Sequence, residues 1–111
     1  MCECIQVITT TQTRDAAVQV AHELVLTRLA ACVQIDGPIE SFYHWAGKLQ
    51  NSVEWRCTAK TFRSVLPRLE AAIRRTHPYE TPEIVSVAID GVSTDYLHWM
   101  RENIDLEEQA G

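Results

Sequence analysis

The spacing of apolar residues changes repeatedly along this chain, from every second position to every third or fourth and back. Ile5-Gln6-Val7-Ile8-Thr9-Thr10 is rich in β-branched residues and reads as a first strand. Thr13 is placed to cap a helix from about Arg14 to Arg28, with Ala17, Val18, Ala21, Leu24, Val25 and Leu29 on one face. From Ala31 to Trp45 the pattern is extended. Ala31, Val33 and Ile35 alternate, Asp36-Gly37-Pro38 interrupts, and then Ile39, Ser41, Tyr43 and Trp45 share one face while Glu40, Phe42 and His44 share the other. A Gly-Pro inside such a run implies a bend or bulge. The run is roughly fourteen residues long where five or six is usual, so it should overhang its own domain.

A turn is expected between Ala46-Gly47-Lys48 and Gln50-Asn51-Ser52. Val53, Trp55, Cys57 and Ala59 then alternate with Glu54, Arg56, Thr58 and Lys60, the pattern of a half-buried strand and the second arm of a hairpin. Ser64 opens a second helix that carries Pro67 in its first turn, where proline is tolerated, and Leu66, Leu69, Ala72 and Ile73 form its apolar stripe. His77-Pro78-Tyr79-Glu80-Thr81-Pro82-Glu83 is a loop pinned by two prolines. Ile84 to Ile89 is a last strand. After Gly91, Ser93 or Thr94 caps a short third helix with Tyr96, Leu97, Trp99 and Met100 on its apolar side, and the acidic stretch from Asp105 to Gly111 is expected to fray.

The order β-α-β-β-α-β plus a helix is the split βαβ, ferredoxin-like arrangement of an α+β fold. It predicts a four-stranded sheet with both long helices on one face. The opposite face carries Gln6, Gln34, Arg56, Thr58 and Ser86 or their alternates, a mixed surface that is either solvated or an interface between subunits. Phe42, Tyr43 and Trp45 at a projecting hairpin favour the interface.

Composition narrows the picture. The 111 residues suit one domain, 1–111, and 46% hydrophobic residues suit a packed core. Ten Lys+Arg against fifteen Asp+Glu give a net charge of −5. With Arg74-Arg75 as the longest basic run, that argues against nucleic acid as a partner. No apolar run is long enough to cross a membrane. Met1 leads directly into Cys2-Glu3-Cys4 without a charged signal segment, so a cytoplasmic location with Cys2, Cys4, Cys32 and Cys57 reduced is expected.

Five segments together resemble one family. They are Arg28-Leu29-Ala30-Ala31-Cys32-Val33, Ser41-Phe42-Tyr43-His44-Trp45-Ala46-Gly47-Lys48, Glu54 with Lys60-Thr61, His77-Pro78-Tyr79-Glu80-Thr81-Pro82-Glu83-Ile84, and Asp95-Tyr96-Leu97-His98-Trp99. In order and spacing the chain is similar to the CutA divalent-cation tolerance family along nearly its whole length. The resemblance implies a ferredoxin-like domain assembled as a tight homotrimer, with an architecture like that of PII signalling proteins.

Three groups are candidates for chemistry. Pro78 pushes His77 out of helical geometry, so its imidazole is either a ligand for a metal or small anion or a helix-end group bonded to nearby carbonyls. The resemblance implies a Cu(II)-type site that uses a histidine at this position. Some members add a second histidine where this chain has Thr76 and a cysteine where it has Thr9, which leaves His77 with Glu80 or Glu83 as metal ligands. Cys2-x-Cys4 puts two thiols on one side of an extended chain, a soft-metal pair or two small residues at a strand edge. Lys60, Tyr79, Glu83, Tyr43 and Trp45, with Glu54, are the third group. In a trimer they would line a cleft between subunits that binds a small ligand, or form a bonding network that only holds the subunits together. No nucleophile elbow, P-loop or zinc-protease motif is present. The expected function is therefore a non-enzymatic trimer that binds a divalent cation, copper by resemblance, in metal tolerance. The alternative is a PII-like signalling or scaffold trimer that takes a small metabolite or a protein in the inter-subunit cleft.

Overall fold

Thr13, just ahead of the first helix, is extended (φ −129°, ψ 156°), and its hydroxyl accepts the Ala16 N–H at 3.1 Å, the N-cap anticipated from sequence. The computed structural model describes residues 3–106 and orders them as β1 (Cys4–Thr11), α1 (Arg14–Leu26), β2 (Cys32–Trp45), β3 (Lys48–Phe62), α2 (Leu66–Thr76), β4 (Val85–Ala88) and α3 (Thr94–Asn103), with a single 3₁₀ turn at Arg63–Val65 before α2. The sheet order is β2-β3-β1-β4, with β1 antiparallel to both β3 and β4. This is the predicted ferredoxin-like α+β topology. It leaves β2 and β4 as edges.

Ile5, Val7, Thr9 and Thr11 of β1 pair with Thr61, Ala59, Cys57 and Trp55 of β3, so these residues share the face toward the helices. There they meet Ala17, Val20 and Leu24 of α1 and Leu69, Ala72 and Ile73 of α2 in one buried core. Burial pushes the Cys57 thiol up to about 11, with the Asp36 charge adding to the shift, so it is an inert core group. Gln6, Ile8 and Thr10, with Arg56, Thr58 and Lys60, fall on the opposite, open face. By the same alternation Phe62 belongs to the open face, yet it is fully buried in the same cluster as Met100 of α3. The third helix therefore closes one end of that face. Cys32 opens β2, half-buried beside Tyr96, whose phenol pKa is raised by burial and by Cys32.

The apolar face of α1 is narrower than the sequence suggests. Ala17, Val20 and Leu24 are buried, while Val18 and Val25 sit on the flank, exposed. The helix also stops at Leu26. Thr27 donates its N–H to Glu23, Arg28 turns left-handed (φ 61°), and the N–H groups of Leu29 and Ala30 return to the Leu24 carbonyl.

The hairpin departs most from expectation. Its turn is only Ala46-Gly47, both at positive φ (54° and 76°) as a two-residue type I′ turn requires, and Trp45 pairs directly with Lys48. Gln50, Asn51 and Ser52 read as loop because they lack apolar alternation. They lie in β3, in a ribbon whose residues are mostly exposed on both faces, so no such alternation is required. The 14-residue β2 keeps its register with β3 except between Asp36 and Ile39, where the expected bulge lies.

Gly37 sets that bulge. Its φ is 156°, and an added Cβ would lie 2.7 Å from Trp55 Cε3 and 3.2 Å from the Glu54 carbonyl oxygen. Gly37→Ala should therefore cost about 1–2 kcal/mol. A lower urea midpoint at unchanged slope would register it, and an unchanged midpoint would contradict it.

Candidate functional site

The loop after α2 ties the helix layer to the open face. His77 ends α2 in extended geometry and is only 7% exposed. Its Nε2 lies 2.6 Å from the Thr10 carbonyl oxygen, and its Nδ1 is 3.1 Å from the Tyr79 backbone nitrogen. A carbonyl can only accept and a backbone N–H can only donate. Nε2 therefore carries the proton and Nδ1 accepts. The pairing of β1 with β4 ends at Ile8, and His77 occupies the strand end beyond it.

That pair of bonds bears on the metal expectation for His77. With both ring nitrogens engaged, the imidazole presents no free lone pair, and the helix-end reading fits this geometry. A metal ion at Nδ1 would have to displace the Tyr79 N–H. Glu80 is exposed, and among the described residues no three His, Cys, Asp or Glu side chains group closely enough to hold a metal ion. At the other two candidate positions, the Thr76 hydroxyl donates back to Ala72 and Ile73, and the Thr9 hydroxyl is buried on the helix-facing side with no hydrogen-bond partner. The Cys2-x-Cys4 pair falls partly outside the described residues. Cys4 itself is buried at the start of β1.

Anchored by His77, the loop delivers Tyr79 to the open face. The two rings lie 4.7 Å apart, and the Tyr79 hydroxyl donates to Glu54 Oε2 at 3.0 Å. Burial, then Glu54, then Tyr43 push the phenol well above its ordinary value. A raised tyrosine favours the folded state fully below the ordinary value near pH 10, and that contribution erodes only as pH rises further. At neutral pH Tyr79 is a fixed hydrogen-bond donor.

Around this pair lies a cleft of about 570 Å³, lined by Thr10, Ser41, Phe42, Tyr43, Trp45, Glu54, Tyr79, Glu80, Thr81 and Glu83. Five residues of the third candidate group, Tyr43, Trp45, Glu54, Tyr79 and Glu83, are thus brought together within one chain. Lys60 is not among them. It shares the open face but lies six positions along β3 from Glu54, roughly 20 Å away. Its amine donates to Gln34 Oε1 at 2.7 Å. Glu54 proves more central than its place in an alternating strand suggests. It is 7% exposed although it alternates toward the open face, because Tyr79 folds over it. Only the long-range pairing of the loop with β3 could have revealed this. Nearby, Arg56 makes a bidentate contact with Asp36 (2.8 and 3.2 Å), which holds the Asp36 carboxyl below its usual range.

Residues 5–103 match the model of a family described as the CutA1 divalent ion tolerance protein. The chain belongs to the CutA1 family. It is 37% identical over 97 residues to the divalent-cation tolerance protein CutA of Thermus thermophilus, covering 87% of this chain and 94% of that protein. It is also 37% identical over 99 residues to a chloroplastic CutA of Arabidopsis thaliana, spanning 89% of itself and 54% of that longer relative. The solved structure of CutA1 from Oryza sativa superposes with a TM-score of 0.90 at 33% identity, covering 93% of this chain and 94% of that one. The CutA1 match spans every element of the fold from β1 to α3, including the hairpin and the His77 loop that build the cleft. The family is named for tolerance to divalent cations, and its name describes no catalytic activity.

Proposed function

We propose that this chain is a non-enzymatic, cytoplasmic homotrimer that supports tolerance to divalent metal ions, with the cleft at the hairpin foot as its binding region. The CutA1 match over residues 5–103 carries the tolerance reading. The trimer is supported by what one chain leaves uncovered. Phe42 and Trp45 are more than 60% exposed, and Val85 and Val87 on the β4 edge are open as well. Among the described residues one chain has no three-residue metal cluster, so a bound cation would draw Glu80 or Glu83 together with groups of a neighbouring copy. Such oxygen donors suit hard cations better than copper, and Cu(II) would call on His77 at the expense of its backbone bonds. Calorimetry with Cu(II), Zn(II) and Mn(II) tests this. We expect saturable binding tighter than about millimolar, or about 4 kcal/mol, that weakens in Glu80→Gln/Glu83→Gln. No saturable binding by any of the three would overturn the cation reading.

A second reading has its own observation. The cleft is far larger than one ion and has aromatic walls, which suits a PII-like scaffold that binds a small metabolite or a protein partner. Thermal-shift screening discriminates, because a ligand that binds only the folded form raises Tm.

A further inference from the structure

The cleft has an uncompensated charge. Its lining includes three carboxyl side chains, Glu54, Glu80 and Glu83, and no lysine, arginine or histidine. Glu54 is more than nine-tenths buried, yet among the described residues the one group bonded to its side chain is a neutral phenol. Arg56, two positions along β3, is committed to Asp36 through both Nε and a terminal nitrogen. It is near enough to Glu83 to feel its charge but does not line the cleft. A carboxyl group held out of water without a cationic partner is costly, and a cation arriving from outside relieves that cost.

The walls specify the kind of cation. Tyr79 bonds the carboxyl, Phe42, Tyr43 and Trp45 line the same cleft, and aromatic faces attract a diffuse, weakly hydrated cation. A bare metal ion instead needs several converging ligands, and no three such side chains group here among the described residues. We infer that the cleft binds an organic cation, an alkylguanidinium or alkylammonium, whose charged head meets Glu54 while its body runs along the cleft toward Tyr43. This rests on the reading of the cleft as a ligand site at the subunit boundary, and it names the ligand class.

Butylguanidinium and its neutral isostere butylurea are suitable probes, titrated into the full chain by calorimetry with the mass followed by light scattering. The cation should bind at least about tenfold tighter than the urea, consistent with one charge-assisted contact. Glu54→Gln should erase that preference. Tyr79→Phe, which removes the hydroxyl but keeps the carboxyl, should preserve it. Should Glu54→Gln fail to fold, Glu80→Lys/Glu83→Lys at exposed rim positions should abolish cation binding instead. Equal affinity for the two probes, or a preference untouched by these charge changes, overturns the inference. A trimeric wild type that binds neither probe overturns it alone. A monomeric wild type overturns the subunit-boundary reading and this inference together.

Discussion

His77→Ala should lower the stability of the fold by about 2–4 kcal/mol and leave affinity for a hard divalent cation such as Mn(II) unchanged. The substitution strands two backbone groups at once, the buried Thr10 carbonyl and the part-buried Tyr79 N–H. Each unsatisfied group costs about 1–3 kcal/mol, with a further loss for the emptied space, and water entering the gap recovers part of it. In a domain of this size the fall in Tm should be on the order of 10 °C. His77→Gln, whose amide can still donate toward Thr10, should recover part of that loss. Urea unfolding at fixed protein concentration and metal calorimetry on the same samples decide the matter. A variant of unchanged stability that no longer binds metal would assign His77 to a metal site, against the geometry seen here.

The same histidine shows how far sequence reasoning reached. Pro78 was enough to place His77 at a helix end with extended geometry, and α2 stops there. What its ring touches depends on Thr10, which is distant in sequence and leaves no local pattern. The resemblance therefore pulled His77 toward a metal role, while the fold spends both its nitrogens on backbone. The strands behaved similarly. β-branched residues located β1, and period-two alternation located the start of β2 and the core half of β3, because one face there is buried. It missed residues 48–52, because a ribbon that stands in solvent is under no pressure to alternate. Lys60 and Glu54 were rightly placed on one face of one strand, but a shared face is not a shared site. The Tyr79 loop chose Glu54's end of the strand.

Replacing both hairpin aromatics, Tyr43→Ala with Trp45→Ala, should convert the proposed trimer into smaller species while each chain stays folded. Neither side chain belongs to the buried core, and both are exposed in the single chain. Among the described residues the side-chain bond lost is that between the Tyr43 hydroxyl and Ser52 Oγ, at 3.0 Å between exposed groups, so the folded chain loses little. Assembly stands to lose far more. Truncating a well-packed interfacial Trp or Tyr costs about 2 kcal/mol or more, and a symmetric trimer repeats the loss at every interface. Combined in each hairpin, the two changes should weaken association at least a thousandfold, from about 4 kcal/mol per interface. Light scattering at low micromolar concentration should then report a mass below the trimer, with far-ultraviolet circular dichroism close to wild type. An unchanged trimer mass would show that the β2–β3 overhang is not what joins the subunits. The β4 edge, with Val85 and Val87 exposed, would then be the surface to alter next.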